Sequence, residues 1–121
     1  DLDPSGQGTV QSVSSAAGLS VQFVGVVEWG ASATVDFDID FLTNGDISIA
    51  SHTVNGSWGT STIVGFSPGS GATGNSVTWS SLVGSTTSYG ATQAVYEQVG
   101  GGSPAGFNSI TMDSGNNITV N

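Results

Sequence analysis

Lysine, arginine and cysteine are all missing from this chain of 121 residues. Without basic side chains, nine acidic residues stand uncompensated, giving a formal net charge of −9 at pH 7 and an isoelectric point near 4.1. A chain with neither Lys nor Arg has nothing to neutralise phosphates, which removes nucleic-acid binding. It has no charge with which to dock on an anionic membrane. It has no lysine for Schiff-base chemistry and no arginine clamp for phosphoryl transfer. The absence of cysteine rules out disulfides, so stability must come from packing, a metal or oligomerisation. No run approaches the roughly 20 apolar residues of a membrane-spanning helix. No leader segment is apparent and the first residue is Asp, so the chain is expected to be a processed protein or part of a longer one.

Charged residues make up only 7 % of the chain, against about 25 % in an average domain. The surface therefore falls to Ser, Thr, Asn, Gln and Gly. Hydrophobic residues reach 36 %, enough for one modest core and too many for a disordered acidic tail.

The local pattern favours strands. Val35-Asp36-Phe37-Asp38-Ile39-Asp40-Phe41 alternates strictly between apolar and acidic residues. Period two puts Val35, Phe37, Ile39 and Phe41 on one face of a strand and the three aspartates on the other. Asn44-Gly45 follows and accepts positive φ at both turn positions, which predicts a type I′ hairpin joining strand 33–42 to strand 46–53. Further strands are expected at Leu19–Val27, Thr62–Phe66, Val77–Leu82 and Ala94–Val99, with a short one at Thr9–Val13. A helical turn within Ala91–Val99 is the alternative reading there. Ser67–Gly71 and Gly84–Gly90 read as loops. Gly100-Gly101-Gly102-Ser103-Pro104 reads as a flexible linker, followed by strands at Phe107–Met112 and Ile118–Val120 around a Ser114–Asn117 turn. The expected organisation is an extended arm over residues 1–18, a β-sandwich body over 19–99 and a C-terminal β segment over 100–121. The fold class expected is all-β, an antiparallel sandwich or jelly roll with strand-like ends.

Candidate chemistry is sparse. Asp36, Asp38 and Asp40 form a carboxylate row that, with Asp46 across the hairpin, is a candidate calcium site, the one cofactor the composition suggests. The alternative is a solvated strand face. The spacing is not that of an EF-hand loop. Trp29, Trp58 and Trp79 are candidates for stacking on sugar rings or filling a subunit interface, with core packing as the alternative. Glu28 and Glu97, the only glutamates, are candidates for the two carboxyls a glycosidase needs at a set separation. They are more simply ordinary carboxylates. His52 has no G-x-S-x-G elbow to serve, and a structural or solvent-facing role is expected. Asn55-Gly56-Ser57 and Asn117-Ile118-Thr119 fit the glycosylation sequon. No enzymatic activity is expected.

Three stretches carry a resemblance. Gly8-Thr9-Val10-Gln11-Ser12-Val13, with Gly18-Leu19-Ser20-Val21 behind it, is similar to units that recur in phage fibres. Ala105–Val120 resembles the joints that link fibre modules. Phe41–Ile49 with Gly56-Ser57-Trp58 resembles small β domains of phage and secreted bacterial proteins. The resemblance implies a virion structural protein of a tailed phage, either a capsid decoration or a fibre module. Its partners would be other copies of itself or other virion proteins, on the virion surface. An extracellular filament subunit that donates segment 8–27 to its neighbour, and a carbohydrate-binding module, are the alternatives.

Overall fold

The computed structural model describes residues 2–56, 62–99 and 107–121, with the backbone alone for 51–54, 62 and 99. It is all-β, as the alternation predicts, with no α-helix among the described residues. Among the described residues, eleven strands form two sheets: β1 (Leu2–Asp3), β2 (Thr9–Ser15), β3 (Gly18–Glu28), β4 (Thr34–Leu42), β5 (Ile47–Asn55), β6 (Thr62–Phe66), β7 (Thr73–Ser76), β8 (Thr86–Ser88), β9 (Gln93–Val99), β10 (Ser109–Met112) and β11 (Asn117–Val120). The larger sheet runs β1-β3-β4-β5-β10-β11-β8, with β2 alongside β1 on the same edge of β3. The smaller runs β6-β9-β7 and pairs β7 with β9 in parallel.

Register follows the hydrophobic pattern. Val21 faces Ile39 and Phe23 faces Phe37 across β3 and β4. Ile39 faces Ile49, Ile49 faces Ile110, and Ile110 faces Val120 on the strands beyond. One apolar face therefore crosses the whole large sheet. The small sheet covers its β5, β10 and β11 portion. There Trp79, Val95, Phe107, Ile110, Ile118 and Val120 are buried together, with Ile49, Val64, Phe66 and Leu82 packed around them. Burying a side chain such as Ile110 contributes roughly 1.5–3 kcal/mol. A second, smaller cluster of Ala33 and Val35 is joined by Leu2 and Phe37.

The first and last described strands both lie in the large sheet. β1 and β2 line the outer edge of β3. β10 and β11 fill the space between β5 and β8. The connection from β1 to β2 crosses close over β3 at Gly8, where φ is +93° and a Cβ would stand 2.5 Å from the Gly25 carbonyl. Only glycine fits there. Gly25 itself lies in a bulge between Phe23 and Val26, and its N–H donates to the Asp36 carboxylate at 2.8 Å.

Three expectations need correction. The β4–β5 connection is a three-residue loop and not a two-residue type I′ turn. Gly45 N–H donates to Leu42 O, Leu42 N–H donates to Asp46 O, and only Gly45 has positive φ. Asn44 is held by its own side chain, whose Oδ1 accepts from Asp46 N–H and whose amide donates to the Asp46 carboxylate. Residues 77–82 are not a strand. β7 ends at Ser76, and a 3-10 turn spans Trp79–Leu82. Ser81 donates to Thr78 O through both its N–H and its hydroxyl, a local bond that competes with a ladder. Gly84–Gly90 is not all loop, because Thr86–Ser88 pairs with β11 as the far edge strand. Residues 91–99 contain no helical turn; β9 begins at Gln93. The expected linker at 100–104 lies outside the described residues.

The β10–β11 turn repeats the loop form of β4–β5, with Asn116 at φ +60° in the position Gly45 holds in the first hairpin. Asn116→Gly is expected to be tolerated, and Asn116→Ala to destabilise by about 1–2 kcal/mol, measured by urea denaturation.

Candidate functional site

The three candidate tryptophans do not share a site. Trp79 is fully buried at the centre of the core. Its indole N–H donates to Val64 O at 3.1 Å, and its backbone N–H donates to the Glu97 carboxylate at 2.8 Å. Trp29 sits in the β3–β4 turn and is 69 % exposed. Trp58 lies outside the described residues. Trp79 thus packs the core, and Trp29 alone of the described tryptophans presents its ring to solvent.

The two glutamates lie in different sheets. Glu28 ends β3 and is only 2 % exposed. Glu97 lies on β9, facing Val64, and anchors the start of the 3-10 turn through Trp79. Sequence alone gave no sign of that role, because eighteen positions separate acceptor and donor. His52 is in β5 at the register shift opposite Asp36 and Phe37, and its side chain lies outside the described residues.

The acidic row is laid out as the alternation predicts. Asp40 pairs with Ser20 and Ser48, and Asp38 with Gln22 and Ala50. Asp36 is engaged by Gly25 N–H and Asp46 by Asn44. Among the described residues, no three His, Asp or Glu side chains stand close enough to hold a metal ion. The row belongs to a wide polar face that continues onto β10, β11 and β8. Ser48 and Thr111 bond through their hydroxyls at 2.9 Å, as do Thr86 and Thr119, and Gln11 bonds Gln22 at 2.9 Å.

Asp113 is a carboxylate with several donors aimed at it, at a position outside the candidate sites read from the sequence. Asp113, before the β10–β11 turn, accepts from the Asn117 amide, the Asn117 backbone N–H and the Gly115 N–H. These bonds, the Asn117 side chain first, hold its pKa below the ordinary carboxylate value despite an opposing desolvation effect. The same amide belongs to the second sequon, so Asn117 is already committed to the turn. Asn55, in the first sequon, is exposed at the end of β5.

Recesses among the described residues include a trough and a crevice. A shallow trough of about 200 Å³ lies on the outer face of the small sheet, floored by Gly65 and Ala94 and flanked by Ile63 and Tyr96. A tighter crevice of about 60 Å³ enters between the sheets beside Phe66, Tyr89 and Met112. Neither gathers a set of titratable groups.

Part of the large sheet's apolar face is uncovered. Over β2, β3 and β4 the apolar face carries Val10, Leu19 and Phe41, each about 40 % exposed or more. Phe23 and Phe37 stack on it, with ring centroids 4.3 Å apart and planes 7° from parallel. β2 is exposed along its full length and carries no charged residue and no proline. An unprotected edge of this kind is rare in natural sheets. No protein-family model, curated protein or solved structure matches the chain.

Two measurements follow from the acidic groups. Because its native pKa is depressed, Asp113 contributes stability that is full above its unfolded pKa and is lost as pH falls through the native one. Asp113→Asn is expected to lower the melting temperature at pH 7 and to flatten its fall below about pH 4. Asp40→Asn is expected to stabilise by a few tenths of a kcal/mol by relieving repulsion along the row. In about 1 M NaCl the wild type should melt higher and that gain should shrink, as seen by calorimetry.

Proposed function

We propose that this chain is a structural β module of a virion surface, a capsid decoration or fibre module of a tailed phage, which acts by associating with other subunits. The observation that carries this reading is the large sheet's apolar face, half covered from within and half open to solvent. Contiguous apolar surface of this kind marks an association site. The fibre-like stretches Gly8–Val13 and Ala105–Val120 support the same reading. So does a composition that keeps crowded copies soluble through negative charge.

The filament alternative requires segment 8–27 to leave its own subunit. In the structure that segment is paired as β2 and β3, with β3 also bonded to β4. Displacing it would break the pairing of β3 with β4 and with β1. The carbohydrate-binding alternative rests on Trp29 at its exposed turn.

Light scattering and electron microscopy of material from its source test the proposal. A discrete closed oligomer, or copies arrayed on a capsid, is expected. Long fibres of this chain alone would overturn it in favour of the filament. A monomer whose glycan binding is lost in Trp29→Ala would overturn it in favour of the carbohydrate module.

A further inference from the structure

We infer that the open half of the large sheet is a two-fold contact between copies of this chain, each covering the other's β2–β3–β4 face. This rests on the assembly reading above and names its partner and its surface.

The surface is defined by register. Alternation and pairing place Val10 of β2, Leu19, Val21 and Phe23 of β3, and Ile39 and Phe41 of β4 on one side of the sheet. None of these six belongs to either buried cluster or to the side chains packed against one. Val10 is 42 % exposed, Leu19 39 % and Phe41 45 %. Leu19 and Phe41 are direct cross-strand partners, as are Val10 and Phe23, so the patch is continuous across three strands.

Charge selects the occupant. Every copy carries nine acidic residues and no Lys or Arg, so no contact between copies can include a lysine or arginine ion pair. A favourable contact must keep carboxylates apart while burying apolar surface. The open face does both, because its own strand residues include no ionisable group and the Asp36, Asp38 and Asp40 row projects from the reverse side. Two copies packed through this face turn their acidic rows outward, to opposite sides of the pair. A cationic partner would be drawn to the acidic face and would leave the apolar one uncovered.

The contact also continues an arrangement already present within the subunit. Over β5, β10 and β11 the same face is roofed by the small sheet. Aligned sheets pack about 10 Å apart with interdigitating side chains. A second copy's open half supplies a sheet of matching kind, and a two-fold axis makes the contact self-complementary and closed.

The test is sedimentation equilibrium of the whole chain, whose mass is 12.0 kDa, over a wide concentration range. The wild type is expected to dimerise. Phe41→Asp and Leu19→Asp each place carboxylates across the two-fold contact and are expected to weaken dimerisation by at least about tenfold. Ile63→Asp, which adds the same charge to an exposed apolar position on the small sheet, is expected to leave it unchanged. Circular dichroism checks that each variant is folded. Phe41→Ser, milder at a half-exposed site, stands in if the charged forms do not fold. Association that persists in folded Phe41 and Leu19 variants overturns this contact while the assembly reading survives. A wild type that stays monomeric at every concentration and is found on no particle overturns both.

Discussion

The fold hangs on the pairing of Ile49, Ile110 and Val120 across β5, β10 and β11. This short apolar row forms the floor on which Trp79 and the small sheet rest. The chain has no cysteine for a disulfide, and the packing of Trp79 against this floor is the centre of its buried core. The polar groups at the centre are tied in. The Trp79 indole finds a carbonyl on β6 and its backbone N–H finds a carboxylate on β9, so one residue locks the 3-10 turn to both strands of the small sheet's antiparallel pair.

The two halves of the large sheet have different fates. Where it meets β6, β7 and β9 it forms the floor of a sandwich. Where it extends through β4, β3 and β2 it is a broad ribbon with stacked phenylalanines on one side and carboxylates on the other. The ribbon's alternation confines its carboxylates to one side, which they share with Val13 and Val24. An all-acidic chain thereby keeps an uncharged surface large enough to bury, with its like charges gathered on the reverse.

Much of the fold was legible in the sequence, for definable reasons. Strict alternation at 35–41 and the β-branched runs at 19–27 and 62–66 report strands because period two is a local property. The turn types were not legible. Asn44-Gly45 is compatible with two loop forms, and the choice fell to side-chain bonds between Asn44 and Asp46. Residues 77–82 misled because Val, Trp and Leu suit a strand, while two serines and a distant carboxylate decide for a 3-10 turn. The candidate site was legible only in part. The acidic row could be read from spacing. The open apolar face opposite it could not, because exposure depends on where the small sheet stops, which no local pattern encodes. Trp79 and Trp29 look alike in sequence and differ only in burial.

The strands that complete the sheet come after the other described strands in chain order. β10 and β11 come from the end of the described chain, yet they stand between β5 and β8 and supply Ile110, Ile118 and Val120 to the core. During synthesis the core stays incomplete until residues 107–121 have left the ribosome. Until then β5 has an unpaired inner edge and Trp79 has no floor. Folding of this protein is thus a late, non-local event, governed by the arrival of one hairpin. In that interval the open β5 edge is a place where a neighbouring nascent chain's hairpin would fit as well as its own.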